Sequence, residues 1–405
     1  MKIAYVVPYV PNHIRTRSYN LILSLTNLGH SVDVFTLGSG IVDENDVAAL
    51  RSKCCHVYYQ HQPIWRSLVN STLAVPSSKP LQSVYSWHPN LAAQLKAQLP
   101  KYDVVHVEHL RGSQYGKSIK AYAPSMPVVW DSVDCITHLF KQASSQSGSI
   151  LGKLMTRFEL GRTRNAEGRL LGAFNHVLVT SSTDRSALLD IVPDGVNPSP
   201  ITVLSNGVDQ GYFRPNLDIE RAPDTLVFSG KMSYHANISM VMYLLNEIMP
   251  RLWAKRPGVR LVVVGKDPPA EIQKLADSSR VHITGTVDDI RPYLWKATAA
   301  VVPLVYGAGV QNKILEAMAT ATPVITNSKV LSSLDVTPGR ELLVADSAED
   351  FATCALKLFE NPALQRTVGY SGLEYVRKNH NWDESAQQMA DIYGQLITQQ
   401  AGRAL

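Results

Sequence analysis

Short apolar runs rich in β-branched residues recur along the chain, and longer segments with helical periodicity lie between them. Near-continuous apolar strands that alternate with helices are typical of parallel sheets buried on both faces. The pattern therefore predicts an α/β protein. The predicted strands lie at 2–9, 31–37, 56–60, 103–109, 127–132, 176–182, 225–230, 259–265, 281–285, 299–304, 323–326 and 342–345. The predicted helices include 16–28, 89–99 and about 150–172.

The alternation of strands and helices is interrupted at VPDGVNPSP (192–200), where Pro, Gly, Asn and Asp break the periodicity. We therefore predict two doubly wound domains, over 1–195 and 200–380, and a helix within 381–405 that crosses back to the first domain. Ligands of open parallel sheets bind beyond the carboxyl ends of the strands, where the strand order reverses. We expect the site in the loops that follow the strands, in a cleft between the domains.

Length and composition narrow the class of protein further. A chain of 405 residues is too long for one small module, and its 45% hydrophobic content excludes intrinsic disorder. The net charge of +5 weakly favours anionic partners and does not indicate nucleic-acid binding. Four cysteines without a C-x-x-C pair indicate a reducing cytoplasm. The N-terminus MKIAYVVPYVPN predicts a strand rather than a secretory signal, and no run approaches the ~18 apolar residues of a membrane span.

The strongest candidate chemistry lies at 301–326, VVPLVYGAGVQNKILEAMATATPVIT. An apolar strand ends there in a loop with two glycines, and the pattern predicts a helix that begins near Val310 or Gln311. Glycines let the backbone approach a ligand, and the free amides of a helix N-terminus favour an anion. Lys313 and Glu316 share one face of that helix. A nucleotide suits this arrangement, but an ordinary strand–helix connection with a solvated Lys–Glu pair has the same spacing.

The same segment resembles the donor-site signature of the retaining glycosyltransferases of family 4 (glycosyl transferases group 1). LEAMATATPVI matches the second half of that signature, and the resemblance implies that Glu316 binds the ribose hydroxyls of a nucleotide. The signature's first glutamate, which touches the donor sugar, is replaced by Ala308, and its glycine before the proline by Ala321 or Thr322. The family has the GT-B fold, in which two Rossmann-like doubly wound parallel-sheet domains face each other across a cleft.

Further segments follow the order of the family. In LVFSGKM (226–232), Lys231 matches the basic residue that contacts the donor diphosphate. The family's second basic residue is absent from YHAN (234–237), and Lys313 is the available substitute. The remaining matches are SNGVDQGYFRP (205–215), HITGTVDDIRPYLWKA (282–297), GRELLVADSAEDFA (339–352) and NHNWDES (379–385). The resemblance implies catalytic roles for Lys231 and Glu316, and helix geometry adds Lys313 to them. The predicted donor-binding residues are Gly230, Gly309, Val310, Gln311, Asn312, Thr286 and Val287.

The first half of the chain resembles the acceptor-side domain of the family more loosely. PYVPNHIRTRSYNLILSLTNLGHSVDVFTL (8–37) has the expected strand, cleft loop, helix and second strand, without the usual loop glycines. DVVHVEH (103–109) and PVVWDSVDCITH (127–138) resemble two strand ends on the acceptor side, and Val133 replaces the family's histidine. The candidate acceptor or cleft residues are Arg15, Arg17, Glu108, Asp131, Asp134 and Asn206. Surface charge, helix caps and turns explain such residues equally well.

Other motifs argue against metals and cofactors. His106 and His109 have H-x-x-H spacing, but residues three apart on a strand point to opposite faces, so we expect no metal site. The first turn lacks the G-x-G-x-x-G of a dinucleotide fold. The segment 153–171 carries five basic and two acidic residues among apolar ones. Such a helix either docks on anionic lipid or packs one face on the protein, and we favour the second interpretation.

We therefore predict a metal-independent, retaining hexosyltransferase-type glycosyltransferase without a cofactor. It would move a sugar from a nucleotide-diphosphate donor to a hydroxyl acceptor (a glycan, a lipid-linked molecule or a small molecule), as in polysaccharide biosynthesis. We expect it in the cytoplasm, with peripheral contact at the inner face of the membrane as an open alternative. Ala308 and Val133 favour a second hypothesis, a catalytically silent carbohydrate-binding or scaffold subunit. A GT-B sugar-nucleotide epimerase is a third, against which the N-G-V-D and L-E-A-M-A segments argue.

Overall fold

The computed structural model describes residues 1–146, 150–276, 279–305 and 310–404. The segment 306–309 lies outside the described residues, and with it the predicted donor contact at Gly309 and the substitution at Ala308. The chain divides into two compact units. The first comprises Met1–Ser205 and Trp382–Leu405, and the second comprises Asn206–Asn381.

Each unit contains one parallel sheet. The strands are β1 (Lys2–Val7), β2 (Ser31–Gly38), β3 (His56–His61), β4 (Val104–Glu108), β5 (Val128–Val133), β6 (His176–Val179), β7 (Ile201–Val203), β8 (Thr225–Ser229), β9 (Arg260–Val264), β10 (Val281–Ile283), β11 (Ala299–Val302), β12 (Val324–Thr326) and β13 (Leu343–Val344). The first sheet has seven strands in the order β3-β2-β1-β4-β5-β6-β7. The second has six, in the order β10-β9-β8-β11-β12-β13.

Helices connect successive strands. They are α1 (Thr16–Asn27), α2 (Ile41–Arg51), α3 (Ile64–Ala74), α4 (Leu81–Tyr85), α5 (Pro89–Gln98), α6 (His109–Tyr122), α7 (Ile136–Gln146), α8 (Ile150–Leu170), α9 (Ser182–Leu189), α10 (His235–Tyr243), α11 (Met249–Lys255), α12 (Ala270–Gln273), α13 (Arg291–Lys296), α14 (Asn312–Ala319), α15 (Ala348–Glu360), α16 (Pro362–Asn379) and α17 (Trp382–Ala404). Short 3₁₀ helices form at Leu99–Lys101 and Ser328–Ser332, and a π-helical turn at Leu244–Ile248 separates α10 from α11.

All the predicted strands are present, but the structure adds one. The unpredicted strand β7 pairs in parallel with β6 and extends the first sheet. The first unit therefore continues to Ser205, beyond the predicted end at residue 195. Strand β7 directly follows the Pro- and Gly-containing segment 192–200, which the sequence pattern indicates as the domain boundary, so the pattern does not predict it as part of the first sheet.

The first sheet is covered by apolar layers on both faces, because successive side chains of a strand point to opposite sides. On one face, Tyr5 of β1 packs with Leu21 of α1 and with Met389 and Tyr393 of α17. The C-terminal helix therefore belongs to the core of the first unit. The chain passes from the first unit to the second after Ser205, and returns after Asn381.

The strand order reverses once in each sheet. In the first sheet the reversal lies between β1 and β4, and in the second it lies between β8 and β11. Both orders begin with the 3-2-1-4-5-6 arrangement of doubly wound nucleotide-binding folds. The loops that follow these four strands are therefore the places where ligands are expected.

Candidate functional site

In the second unit, the reversal point is flanked by the loop after β8 and by α14. Helix α14 begins at Asn312, close to the predicted start at Val310 or Gln311. Its N-cap residue Gln311 makes no capping hydrogen bond through its side chain, and Val310 is buried. Because the first amides of a helix lack partners within the helix, an uncapped N-terminus suits an anion.

Two glycines determine the course of the loop after β8. Gly265 has a φ of +154°, and a Cβ at this position would lie 1.8 Å from the Gly230 carbonyl oxygen. A Cβ at Gly230 would lie 2.8 Å from Asn237 Nδ2. Both distances are far below van der Waals contact, so neither position accepts a side chain without displacing its neighbour. Gly230, a predicted donor contact, thus lets α10 approach the end of β8.

Lys231 combines a fixed backbone with an exposed side chain. Asn237 Nδ2 donates to the Lys231 carbonyl oxygen at 2.8 Å, and Met232 N donates to the Lys266 carbonyl oxygen at 2.9 Å. The Lys231 side chain is exposed and makes no ion pair with any described residue. A phosphate that approaches this loop would therefore meet an unneutralised cation.

Lys313 is a second cation, and it is partly buried. Its Nζ donates to Asn237 Oδ1 and lies 4.8 Å from the centroid of the Phe228 ring. Burial lowers the pKa of Lys313 to about 8, although the negative charge of Glu316 acts in the opposite direction. Asn237 contacts both the backbone of Lys231 and the ammonium of Lys313, so one amide side chain joins the two cationic elements.

Glu316 follows Lys313 by one helical turn on α14. Burial raises the pKa of Glu316 to about 7, and the positive charge of Lys313 opposes that shift. Within the described part of the chain, neither side chain takes part in an ion pair. Two partly buried groups with perturbed pKa values on one helix face are typical of a binding or catalytic site.

Asn206, one of the predicted acceptor or cleft residues, lies beside the start of α14. Its Nδ2 donates to Asn312 Oδ1 at 3.2 Å, and its carbonyl oxygen lies 2.7 Å from His380 Nδ1. It is the first residue of the second unit. Asn206 thus contacts the first residue of α14, and its role at the cleft stays a prediction.

Thr286 and Val287 lie farther from α14, at the edge of the second sheet. They follow β10, which is separated from β8 by β9, a distance of about 10 Å at ordinary strand spacing. They border a surface concavity with Asp289 and Tyr293. Hydrogen bonds from Arg291 lower the pKa of Asp289. No described contact joins this concavity to α14, so donor binding by Thr286 and Val287 stays a prediction.

The reversal point of the first unit holds a buried carboxyl group. Glu108, at the end of β4, accepts hydrogen bonds from Tyr9 OH and, at 3.1 Å, from Tyr5 OH. Burial raises the pKa of Glu108, and the negative charge of Asp131 raises it further. The exposed guanidinium of Arg15 lies 4.9 Å from the centroid of the Tyr9 ring. Arg15 and Tyr9 therefore lie between this carboxyl group and the surface.

Arg17 and Asp131 form an ion pair inside the first unit. Arg17 Nε donates to Asp131 Oδ2 at 2.8 Å, and Arg17 Nη1 donates to the Leu204 carbonyl oxygen at 2.9 Å. Both side chains are buried. Charges in a protein interior must be neutralised and hydrogen-bonded, and these two satisfy each other. The ion pair gives Arg17 and Asp131 a structural role, and their contact with a ligand stays a prediction.

Asp134 stands next to a strained residue. Val133 has a φ of +67°, which β-branched residues rarely adopt, and Asp131 Oδ1 accepts from Val133 N at 3.0 Å. Asp134 Oδ1 accepts from Thr180 Oγ1 at 3.3 Å. Burial, with the negative charge of Asp184, raises the pKa of Asp134 to about 7. The position that resembles the family's histidine thus carries backbone strain beside a perturbed carboxyl group.

The histidines of the H-x-x-H motif point to separate surroundings. His106 Nδ1 lies 2.7 Å from Tyr393 OH, and burial lowers the pKa of His106 to about 4. His109 begins α6 with a φ of +64°. Over residues 1–146, 150–276, 279–305 and 310–404, no group of three or more His, Cys, Asp or Glu side chains could hold a metal ion.

Sequence analysis missed Asn237 and Tyr9. Asn237 ends the YHAN segment, where the family has its second basic residue, and a polar residue at this position was the available signal. Tyr9 lies in the loop after β1, and its bond to Glu108 joins residues 99 positions apart. A partnership across that separation has no local signature.

Comparison with known proteins agrees with this architecture. Residues 14–211 match the model "Glycosyltransferase Family 4", and residues 223–361 match the model "Glycosyl transferases group 1". An uncharacterized 44.6 kDa protein in the cps region of Klebsiella pneumoniae is 22% identical over 387 residues, covering 92% of this chain and 94% of that protein. D-inositol 3-phosphate glycosyltransferase of a Nocardioides species is 22% identical over 334 residues, covering 75% of this chain and 69% of that protein.

Solved structures share the fold over nearly the whole chain. Sucrose-phosphate synthase from Thermosynechococcus elongatus superposes with a TM-score of 0.71 at 21% identity, covering 98% of this chain and 99% of that one. Anabaena HepE, in complex with UDP and glucose, superposes with a TM-score of 0.66 at 15% identity, covering 98% of this chain and 100% of that one.

Two parallel-sheet α/β units, shared with sucrose-phosphate synthase and HepE, define the GT-B fold. The two family matches together span most of the chain. The chain belongs to the group 1 glycosyltransferases of family 4.

Proposed function

We propose that this glycosyltransferase moves a sugar from a nucleotide-diphosphate donor to a hydroxyl acceptor, with retention of the anomeric configuration and without a metal ion. The observation that carries the proposal is the pair of partly buried charges, Lys313 and Glu316, at the reversal point of the second sheet. The complex of HepE with UDP and glucose supports a nucleotide-sugar donor, since HepE shares this fold.

The cations would act on the leaving diphosphate. During transfer, the bond between the anomeric carbon and the diphosphate oxygen breaks, and negative charge develops on the diphosphate. Lys313, Lys231 and the first amides of α14 are donors that can stabilise this charge. Lys313 contributes most in this scheme, because a buried charge interacts through a lower dielectric than an exposed one.

Glu316 would bind the nucleotide through its ribose. Its burial disfavours the ionised form and raises its pKa to about 7. Hydrogen bonds from two ribose hydroxyls favour the carboxylate and would offset that cost. Lys313 and Glu316 thereby contact different parts of one ligand.

The acceptor hydroxyl would be activated by the donor itself, as the family resemblance implies. Its oxygen bonds to the anomeric carbon on the face that the diphosphate leaves, and its proton passes to the leaving phosphate oxygen. No side chain forms a covalent intermediate in this scheme. Glu108, Asp134 and Arg15 are the candidates in the first unit for hydrogen bonds to acceptor hydroxyls.

Calorimetric titration with UDP, GDP and ADP tests the proposal. We expect at least one of them to bind equally well with EDTA and with Mg²⁺ or Mn²⁺. Lys231→Ala should weaken that binding by ~1.5–3 kcal/mol, the range of a charge-assisted hydrogen bond. Lys357→Ala, at an exposed lysine on α15, is the matched control and should leave the affinity unchanged.

Turnover of nucleotide sugars separates the remaining hypotheses. Transfer to acceptors in a crude cell extract is the expected result. Binding that requires a metal ion would contradict metal independence. Tight nucleotide binding without turnover of any donor would favour the silent subunit, and conversion of a nucleotide sugar without acceptor would favour the epimerase.

A further inference from the structure

Helix α3 of the first unit turns its large apolar side chains toward solvent. Single exposed apolar residues are ordinary, but a contiguous patch marks an interaction surface. The exposed fractions are 62% for Ile64, 64% for Trp65, 57% for Leu68, 46% for Val69, 73% for Leu73 and, directly after the helix, 46% for Val75. These six residues are called the α3 face below.

The side of α3 that packs on the protein is polar or small. Ser67 and Ala74 are its buried residues. Gln62 Nε2 donates to Ser67 Oγ at 3.2 Å, and Asn70 Nδ2 donates to the Trp87 carbonyl oxygen at 2.9 Å. A surface helix normally has the reverse arrangement, with its apolar stripe against the core. Hydrogen bonds thus hold α3 in place, and its apolar side is left for a partner.

The chain around the α3 face is basic. Residues 47–102 contain no Asp or Glu, and they include Arg51, Lys53, Arg66, Lys79, Lys96 and Lys101. Arg162 of α8 donates to the carbonyl oxygen of Val75 at 2.5 Å, beside the end of α3. The guanidinium of Arg162 also lies 4.0 Å from the centroid of the Phe158 ring, which is 48% exposed. The sequence that contains α3 is therefore basic, and Arg162 and a further aromatic residue border the apolar patch at the end of the helix.

We propose that the α3 face docks the enzyme on an anionic lipid bilayer, with Trp65 and Leu68 in the interface and Lys79 and Arg162 beside lipid phosphates. An apolar helix face bordered by cations is the combination that binds such surfaces. A two-fold symmetric dimer through the α3 face would bring the same basic residues of both copies together, and repulsion between these like charges would oppose the dimer. Among the described residues, no helix is long and apolar enough to cross a bilayer. The proposal does not depend on the donor chemistry.

Sedimentation with vesicles tests this surface. The full chain should bind phosphatidylcholine vesicles that contain phosphatidylglycerol, and bind pure phosphatidylcholine vesicles much more weakly. Trp65→Gln/Leu68→Gln should weaken binding at least about tenfold, and Lys79→Gln about fivefold. Tyr122→Gln/Leu217→Gln is the matched control, because these side chains are 62% and 83% exposed outside the α3 face. Nucleotide affinity should be unchanged in all variants.

Fluorescence quenching by brominated lipid is a second measurement, and it requires only one conservative substitution in the protein. Anionic vesicles with brominated chains should quench the wild-type tryptophan emission, and Trp65→Phe should remove most of that quenching. Equal binding to neutral and anionic vesicles, or an equal loss in the control variant, would overturn the proposal. A dimer that Trp65→Gln/Leu68→Gln dissociates, together with no vesicle binding, would overturn it in favour of a second copy.

Discussion

Replacing Lys313 with methionine should stabilise the unliganded second unit while it weakens nucleotide binding. The lysine buries a charge beside an amide and an aromatic ring, Asn237 and Phe228, and neither neutralises it. Methionine keeps the length and apolar stem of the side chain and removes the charge. A residue retained for folding would show the opposite response, because its removal lowers stability.

The expected gain follows from the pKa of Lys313, which burial lowers from 10.5 to about 8. Because one pKa unit corresponds to ~1.4 kcal/mol, the charged form costs about 3 kcal/mol in the folded state. Loss of the hydrogen bond to Asn237 offsets about 1 kcal/mol of this. The net gain of about 2 kcal/mol should raise the melting temperature of the unit by about 4–8 °C.

Scanning calorimetry at pH 7 without ligand measures the gain, and titration with the nucleotide that binds best measures the loss of affinity. Lys231→Met is the matched control for stability, because its side chain is exposed and should change stability by less than ~0.5 kcal/mol. A Lys313→Met protein that melts earlier than the wild type and binds the nucleotide normally would refute the reasoning.

Two further predictions concern charge in the two units. Nucleotide affinity should fall above about pH 8, because the diphosphate needs the protonated form of Lys313. Calorimetry near that pH should record proton uptake on nucleotide binding by the wild type but not by Lys313→Met. Arg17→Met should destabilise the first unit by ~3–5 kcal/mol, since it leaves Asp131 as an uncompensated buried charge. Arg17→Met/Asp131→Asn should recover much of that loss in thermal unfolding, and equal destabilisation of the single and double variants would contradict the ion-pair explanation.

The strands could be predicted because a parallel strand buried on both faces is a nearly continuous apolar run, as in β11. Contacts between side chains that are far apart in the sequence could not be predicted. Arg17 and Asp131 are 114 positions apart, and they meet because the sheet order brings β5 near the start of α1. In the sequence both residues have the appearance of site residues.

Helix α3 illustrates a second limit of the sequence. Apolar residues at helical spacing indicate an amphipathic helix, and the usual expectation is that the apolar side faces the core. Here Gln62, Asn70 and Ser67 hydrogen-bond on the inner side, so the apolar side is outward. Which side of an amphipathic helix faces the core depends on the residues that it packs against. The local sequence pattern does not identify those residues.

The two units reverse their strand order in the same way, but the charged side chains at the reversal point have different partners in each unit. In the first unit, Arg17 is neutralised by Asp131, and Glu108 is hydrogen-bonded by two tyrosines. In the second unit, Lys313 is partly buried, and no described carboxylate lies within ion-pair distance of it. A buried charge without a counter-charge is costly, and a ligand of opposite charge removes that cost. We therefore infer that the diphosphate belongs to the second unit, whereas the first, where Arg17 is paired and Glu108 is hydrogen-bonded, suits the uncharged hydroxyl groups of an acceptor.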